Sequence, residues 1–291
     1  MKPMTNRFLL LALLGIFTGC RQTSDPATVR SDFAPSKSEV ESVATTCAIL
    51  SWNVESGGAD PTVIKRRLDE HVRQAEVSIV VLQEVSQSSF DILQIEGWDS
   101  IRSKSGRADR LMIQFDTNRY ELLAQREPTV LSDINVKPGN HRSPHMALLK
   151  SRHTDLTFWL INVHQARGDE NLRNQQAIAL REWARSEPCP IVLIGDLNMD
   201  YDFHTQRGNT SFSELVRDNV FVWVKPDPLI DTNWADRNGD GKDDFPDSII
   251  DGAFVANGAT TWNVTSRVIV VDGDFPDDNL TSDHRPIILE W

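Results

Sequence analysis

The sequence is short of positive charge. Its 291 residues include 30 Lys and Arg against 42 Asp and Glu, which gives a formal net charge of -12 at pH 7. The overall field of such a protein does not attract a polyanion, and this counts against tight, non-specific binding to nucleic acid. It does not exclude catalysis on phosphodiesters, because metal ions in a local cleft can reverse the sign of the field there.

The sequence also lacks an apolar run long enough to span a bilayer. The run from Phe8 to Phe17 is too short, and it lies between a basic segment and the small residues before Cys20. This order predicts a signal peptide over residues 1–20. The placement of Cys20 directly after Gly19 resembles a bacterial lipobox, which implies lipidation of Cys20; a plain secretory signal is the alternative. We therefore expect an exported, membrane-anchored lipoprotein, periplasmic or at the cell surface.

Cysteine is scarce, since besides Cys20 the chain has only Cys47 and Cys189. Each precedes a strand that ends in candidate site residues. If those strands are parallel neighbours, the two sulfurs can form a disulfide in an oxidising compartment; otherwise both are separate buried thiols. The spacing leaves both alternatives open.

Repeats of the solenoid kind are absent, and residues 21–45, rich in Ser, Thr, Asp and Pro, predict a flexible linker. From residue 46 to 291 short apolar strands alternate with amphipathic helices. Helices are expected over 61–75, 171–185 and 211–216. Strands are expected over 47–55, 77–85, 110–116, 145–151, 156–165, 190–198, 248–255, 265–272 and 285–291. Because βα alternation is mixed with an antiparallel pair, the pattern predicts an α/β sandwich built on mixed sheets.

Polar residues interrupt or end these apolar strands. They are Asn53, Glu55, Glu84, His164, Asp196, Asn198, Asp251, Asp283 and His284. Each alone has an ordinary interpretation as a cap, a turn or a satisfied core residue. Together they match one chemistry, the hydrolysis of a phosphoester with a divalent cation. Carboxylates bind Mg²⁺ or Mn²⁺, an imidazole held by a carboxylate activates water, and amides bind water and phosphate without adding charge.

The ordered motifs SWNVE, VLQEV, INVHQ, GDLN, IIDGAFV and SDHRP resemble those of the endonuclease/exonuclease/phosphatase superfamily. RNQQ, in the helix after His164, matches an Arg-x-x-Gln that is frequent there in the family. The resemblance spans residues 47–291. It implies a four-layer α/β sandwich with two mixed β-sheets and a catalytic site at one rim.

The resemblance also implies the metal and phosphate ligands. Glu84 would be the principal ligand of Mg²⁺ or Mn²⁺, with Asn53 and Asp283 close by and Glu55 assisting. Asn53 would also contact the substrate. Arg142 stands where relatives place a phosphate-binding Arg; a solvated Arg is an equally good interpretation.

The catalytic roles follow by the same resemblance. Asp251 would hold His284, and the pair would act on the attacking water. Asp196 and Asn198 would orient water and phosphate, with Asp196 an alternative base. His164 would stabilise the phosphate or protonate the leaving group. Abasic-site endonucleases typically have Tyr at the position of His164, which argues against a role in DNA repair.

The segment DRNGDGKDDFPD, residues 236–247, looks inserted into the family core. Asp236, Asn238, Asp240 and Asp247 stand at ligand positions of a calcium loop, with Gly241 at the sharp turn. We expect a structural Ca²⁺ that stabilises the exported domain. The alternative is an acidic, solvated loop, because Asp243 occupies a place that is usually apolar.

We therefore expect a metal-dependent phosphodiesterase, acting as a nuclease and as a monomer, with nucleic acid as substrate. A phospholipid or sugar-phosphate hydrolase is the alternative enzyme. The non-enzyme alternative is a calcium-stabilised binding module on a degenerate scaffold.

Overall fold

The computed structural model describes residues 47–55, 58–128, 142–236, 238–272 and 280–291. The predicted signal peptide, the linker and Cys20 lie outside these residues, so those three predictions stay predictions. Within the described part of the chain, no helix is long and apolar enough to cross a membrane.

Strands account for most of the regular structure. They are β1 (Ala48–Asn53), β2 (Ile79–Val85), β3 (Trp98–Arg102), β4 (Arg110–Asp116), β5 (Tyr120–Arg126), β6 (His145–Ser151), β7 (Thr157–His164), β8 (Ile191–Asp202), β9 (Arg207–Gly208), β10 (Phe221–Trp223), β11 (Ser248–Ala256), β12 (Thr265–Val268) and β13 (Ile287–Glu290). The helices are α1 (Pro61–Gln74), α2 (Glu170–Ser186) and α3 (Thr210–Leu215).

The strands form two mixed sheets. The first has the order β12-β13-β1-β2-β4-β3, and the second has the order β10-β11-β8-β7-β6-β5 with β9 paired to β8. Each sheet has one parallel pair at its centre, β1 with β2 and β7 with β8, flanked by antiparallel strands. The helix α1 connects the first parallel pair and α2 connects the second, as parallel strands require a crossover. The predicted mixed sheets are confirmed.

Side-chain caps fix where both connecting helices begin. The carboxylate of Asp60 accepts from the backbone N–H of Thr62 (2.8 Å), and Pro61 occupies the first turn, where no intrahelical donor is lost. The carboxylate of Asp169 accepts from the N–H of Leu172 in the same way (3.0 Å). Each helix then turns one apolar face toward its sheet.

Three apolar clusters separate four layers. The middle cluster lies between the sheets and joins, for example, Ile49 and Val81 to Leu160 and Ile194. The alternate residues of the same strands face the helices, because successive side chains of a strand point to opposite faces. Residues of α1 pack on the outer face of the first sheet, and residues of α2 pack on the outer face of the second. The four-layer sandwich that the motifs implied is therefore confirmed.

Four strands, β3, β5, β9 and β10, were not predicted from the sequence. Of these, β9 and β10 have only two and three residues, too few for a recognisable pattern. β3 and β5 each form an outer edge of a sheet, so their side chains are partly exposed and their sequences, WDSIR and YELLAQR, have no continuous apolar run. Two boundaries also differ. β8 continues to Asp202, beyond the predicted end at Asn198, and β12 ends at Val268 rather than residue 272.

No disulfide joins Cys47 and Cys189, so the alternative of two buried thiols is correct. Cys47 precedes β1 in the first sheet and Cys189 precedes β8 in the second, so the strands are not neighbours. The two side chains belong to different apolar clusters. The Cys47 sulfur accepts a hydrogen bond from the hydroxyl of Tyr120 (2.8 Å), and burial raises the pKa of the thiol to about 11.

Candidate active site

The carboxyl ends of the two parallel pairs meet at one rim of the sandwich. In the first sheet Asn53 is paired with Gln83, next to Glu84; in the second His164 is paired with Asp196. The antiparallel partner of Asp196 is Asp251 on β11. Strand pairing thus brings together residues that are far apart in the sequence.

The first group of polar side chains consists of Glu84, His164 and Asp196. One potential ligand atom from each lies within 4.8 Å of the other two. The Nε2 atom of His164 is 3.3 Å from Asp196 Oδ2 and 3.6 Å from Glu84 Oε1. Asn53 lies between the carboxylates and donates through Nδ2 to Asp196 Oδ2 (2.9 Å) and Glu84 Oε1 (3.3 Å). Two of the predicted metal ligands, Glu84 and Asn53, therefore lie beside two of the predicted catalytic residues, His164 and Asp196.

The donor chemistry of this group fits a hard divalent cation. Burial, and then repulsion from Asp196, raises the pKa of Glu84. Burial, and then repulsion from Asp251, raises the pKa of Asp196 to about 6. A cation removes the repulsion that these buried carboxylates impose on each other, and carboxylate oxygens are the ligands that Mg²⁺ and Mn²⁺ prefer.

His164 is held as a neutral imidazole. Burial, and then the positive charge of Arg142, lowers its pKa well below the usual value. Its Nδ1 atom is buried and has no partner among the described residues. The Nε2 atom therefore faces the carboxylates, while the other side of the ring borders a pocket lined by Arg142, Gln165 and Gln176.

The second group of polar side chains consists of Asp196, Asp251 and His284. Asp251 Oδ2 is 2.8 Å from His284 Nδ1, and His284 Nε2 is 3.4 Å from Asn53 Nδ2. Burial alone would lower the pKa of His284, but the charge and hydrogen bond of Asp251 raise it well above the usual value. Asp251 thus fixes the ring so that Nε2 points to the shared centre.

Asn198 stands next to this centre in a strained backbone conformation, with φ of 50°. Its backbone N–H donates to Asp196 Oδ1 (2.9 Å), and its Nδ2 donates to the carbonyl of Gln165 (3.2 Å). These contacts fix the Asp196 carboxylate and join β8 to the end of β7. Its predicted contact with water and phosphate stays a prediction.

Asp283, Glu55 and Arg142 lie around the two groups. Asp283 Oδ1 is 3.7 Å from His284 Nε2, and Glu55 Oε2 accepts from the backbone N–H of Asp283 (3.0 Å). Glu55 therefore connects the end of β1 to the loop before β13, and its assistance to the metal stays a prediction. Arg142 Nη1 is 3.5 Å from Asp109 Oδ2. Arg142 is also close enough to His164 for its positive charge to lower the pKa of that histidine.

Two residues that support the site were missed from the sequence. The hydroxyl of Ser282 donates to the carbonyl of Asn53 (2.5 Å) and accepts from the N–H of His284 (3.0 Å). The Thr232 Oγ1 atom accepts from the N–H of Asp251 (3.2 Å). Ser282 stands inside the SDHRP motif, which was a usable signal. Thr232 lies in a segment without strand or helix periodicity, so no sequence pattern indicated it.

The RNQQ motif holds the loop that follows His164. Arg173 Nη1 donates to the carbonyl of Ala166 (2.8 Å), and Gln176 Oε1 accepts from the N–H of the same residue (3.0 Å). The motif therefore stabilises the backbone beside the site.

The predicted calcium loop forms a tight turn. The carboxylate of Asp236 accepts from the backbone N–H groups of Gly239 and Gly241 (2.7 Å each), and these bonds lower its pKa. Asn238 Oδ1 accepts from the N–H of Asp240 (2.9 Å). Among the described residues, only the two groups at the rim bring three His, Cys, Asp or Glu side chains close enough together to hold a metal ion. Ca²⁺ binding by this loop, including Asp247 at its end, stays a prediction.

Comparisons with known proteins show the family and the fold of the chain. The sequence model of the Endonuclease/Exonuclease/phosphatase family matches residues 50–284. A family protein from Bacteroides thetaiotaomicron has 20% identity and a TM-score of 0.63, covering 84% of this chain and 94% of its own. A mannosyl-6-phosphatase from Bacteroides thetaiotaomicron VPI-5482 has 19% identity and a TM-score of 0.60, with coverage of 84% and 98%. D. rerio TDP2, complexed with a single-strand DNA product, has 16% identity and a TM-score of 0.65, with coverage of 84% and 98%. No curated protein sequence matches significantly.

Proposed function

This chain belongs to the endonuclease/exonuclease/phosphatase family of phosphoesterases, and on that premise we propose that it is a divalent-metal-dependent phosphodiesterase that acts as a nuclease. One observation carries the proposal. The Glu84–His164–Asp196 group and the Asp196–Asp251–His284 group share Asp196 and face one centre. A degenerate binding module has no physical need for buried carboxylates that raise one another's pKa values.

The residues of the rim divide into a cation side and a water side. Glu84 would hold the ion, with Asn53 and Asp283 nearby. When bound, Mg²⁺ or Mn²⁺ supplies positive charge to the phosphate and to the leaving oxygen. Asp196, whose Oδ1 atom is fixed by the N–H of Asn198, orients the attacking water.

The Asp251–His284 pair acts on that water. Because Asp251 holds Nδ1, the Nε2 atom of His284 is the one that exchanges a proton with the nucleophile. Asp196 is the second candidate for the base. On the opposite side, His164 and Arg142 contact the phosphate, and the neutral state of His164 favours stabilisation of the phosphate over protonation of the leaving oxygen.

The preference for nucleic acid is supported by the fold alone. The structure of D. rerio TDP2 contains a single-strand DNA product, whereas another protein of the same fold is a mannosyl-6-phosphatase. A sugar-phosphate hydrolase is therefore the second candidate. A phospholipid hydrolase is the third, since a membrane anchor would place the site beside lipid headgroups.

We also propose that the chain is an exported lipoprotein anchored through Cys20, which rests on the N-terminal pattern of the sequence. Labelling with radioactive palmitate in a bacterial host tests this. Label on the parent that is lost in Cys20→Ser supports the anchor, and an unlabelled parent excludes it.

Nicking of supercoiled plasmid by residues 21–291 with Mg²⁺ or Mn²⁺ tests the nuclease proposal. The parent should nick the plasmid, and His284→Ala should lower the rate by about 10²-fold or more, because general acid–base groups contribute at least that much. His153→Ala, which changes an exposed histidine in a turn, is the control and should match the parent. If the parent hydrolyses small phosphate esters and leaves plasmid intact, the enzyme is a phosphoesterase but not a nuclease.

A further inference from the structure

A bridge of buried amides joins the two sheets directly below the rim. The side chains of Gln83 on β2 and Asn162 on β7 are both fully buried. Gln83 Nε2 donates to Asn162 Oδ1 (2.8 Å) across the space between the sheets. The remainder of that space is filled mainly by apolar side chains, whose packing has no preferred direction.

The bridge is anchored where the first sheet is irregular. The pairing of β2 with β4 is regular to Leu82, opposite Met112, and resumes only at Val85, opposite Arg110. Glu84 lies inside this irregularity with φ of 54°. Asn162 Nδ2 donates to the carbonyls of Leu82 (2.9 Å) and Met112 (3.0 Å). An amide of the second sheet therefore stabilises the backbone from which Glu84 projects.

The bridge also adjoins the other residues of the metal group. Gln83 Nε2 donates to Ser51 Oγ (3.2 Å), two residues before Asn53, and Asn162 itself lies two residues before His164. On β8, Gly195 precedes Asp196 with φ of 147°. A Cβ atom at this position would lie 3.2 Å from Gln83 Nε2 and 2.3 Å from the carbonyl oxygen of Val163. The glycine thus leaves room for the bridge.

We propose that Asn162 and Gln83 are positioning residues that set the separation between Glu84 in the first sheet and His164 and Asp196 in the second. The inference rests on the proposed function, because it concerns the metal held by this group. Ligands from two separate layers bind a small cation well only when their separation is fixed closely. The bridge is a directional contact between the two layers directly below these ligands. A purely structural role would lower stability without changing the affinity for metal.

The test measures Mn²⁺ binding by titration calorimetry on residues 21–291, which contain every described strand and helix. Asn162→Leu keeps the volume but removes the bonds to Gln83, Leu82 and Met112. Gln114→Leu is the control, because Gln114 is an equally buried amide of the first sheet that holds the backbone of Ile95 and Leu93 (2.8 and 3.0 Å). Neither of these hydrogen bonds involves a rim residue.

Both variants should melt at a lower temperature than the parent. Only Asn162→Leu should bind Mn²⁺ more weakly, by about 10-fold or more, as expected for a residue that supports metal ligands. Gln114→Leu should keep the affinity of the parent. Ser51→Ala, which removes a single acceptor from the bridge, should weaken Mn²⁺ binding in the same direction and replaces Asn162→Leu if that variant does not fold.

Equal Mn²⁺ affinity in the parent and in the folded bridge variant overturns the inference while leaving the metal site intact. Equal weakening in Gln114→Leu also overturns it, because the effect is then one of general stability. A parent that binds no Mn²⁺ removes the proposed metal site and the inference together. Hydrolysis by that same parent would then show that the phosphoesterase works without the ion.

Discussion

The pKa values of individual side chains at the rim are set by burial and by charged neighbours. His164 and His284 are both buried, yet their pKa values move in opposite directions. Burial and then Arg142 keep the first neutral, whereas Asp251 outweighs burial at the second. Two imidazoles of one site thus differ in proton affinity, and environments that move pKa values apart are the usual way to divide two roles within one site.

Away from the site, His145 provides a test of burial, which outweighs the opposite effect of Glu127 on its pKa. It lies at the start of β6 with no exposed surface, and burial lowers its pKa from 6.5 to about 4. The folded protein therefore holds His145 neutral at a pH where the unfolded chain is protonated. Stability from this residue is complete above pH 6.5 and decreases as the pH falls toward 4, by up to about 3 kcal/mol.

Urea unfolding at pH 7 and pH 4.5 measures this effect. The loss of free energy of unfolding between the two pH values should be smaller in His145→Gln than in the parent. His153→Gln removes an exposed histidine and should lose as much free energy of unfolding between the two pH values as the parent does. The same pH dependence of stability in all three proteins would contradict a contribution from the lowered pKa of His145.

Whole elements explain which features the sequence could predict. The central strands are buried on both faces, so β1, β2, β7, β8 and β11 appear as apolar runs, and the polar residues that end or interrupt them indicated the site. The edge strands β3 and β5 have no such run. Gln83 and Asn162 also interrupt apolar runs, but only the packing of one sheet on the other shows that they meet. Thr232 gave no local signal at all.

The loop over residues 236–247 can be tested separately from the rim, because its predicted ligand is a structural Ca²⁺. If it binds Ca²⁺, the ion should raise the melting temperature of the parent by about 5 °C or more at a concentration far above its dissociation constant. Asp236→Ala removes a ligand and also the acceptor for three backbone N–H groups, so it should abolish the calcium effect.

Asp202→Ala is the control for this loop. Like Asp236, Asp202 accepts hydrogen bonds from backbone N–H groups in an exposed turn, here those of His204 and Thr205, but it lies outside the predicted calcium site. This variant should keep the stabilisation by Ca²⁺. An unchanged melting temperature of the parent with and without Ca²⁺ would show that the loop is only an acidic, solvated turn.

At the scale of the whole molecule, the site exists only when the two sheets pack together. The first sheet supplies Asn53 and Glu84, and the second supplies His164, Asp196 and Asp251. A cation held between the two sheets would therefore bind the substrate and would also stabilise the packed form of the protein. With a net charge of -12, the protein also depends on this rim to attract a phosphate.

The most direct test of the central claim is hydrolysis of bis(4-nitrophenyl) phosphate by residues 21–291 after treatment with EDTA and again after addition of Mn²⁺. This substrate has no base, sugar or lipid, so it reports on the rim alone. We predict that EDTA abolishes hydrolysis, that Mn²⁺ restores it in the parent, and that Glu84→Gln stays near background at the same Mn²⁺ concentration. Hydrolysis that survives EDTA, or a Glu84→Gln variant as active as the parent, would contradict a metal-dependent phosphoesterase at this site.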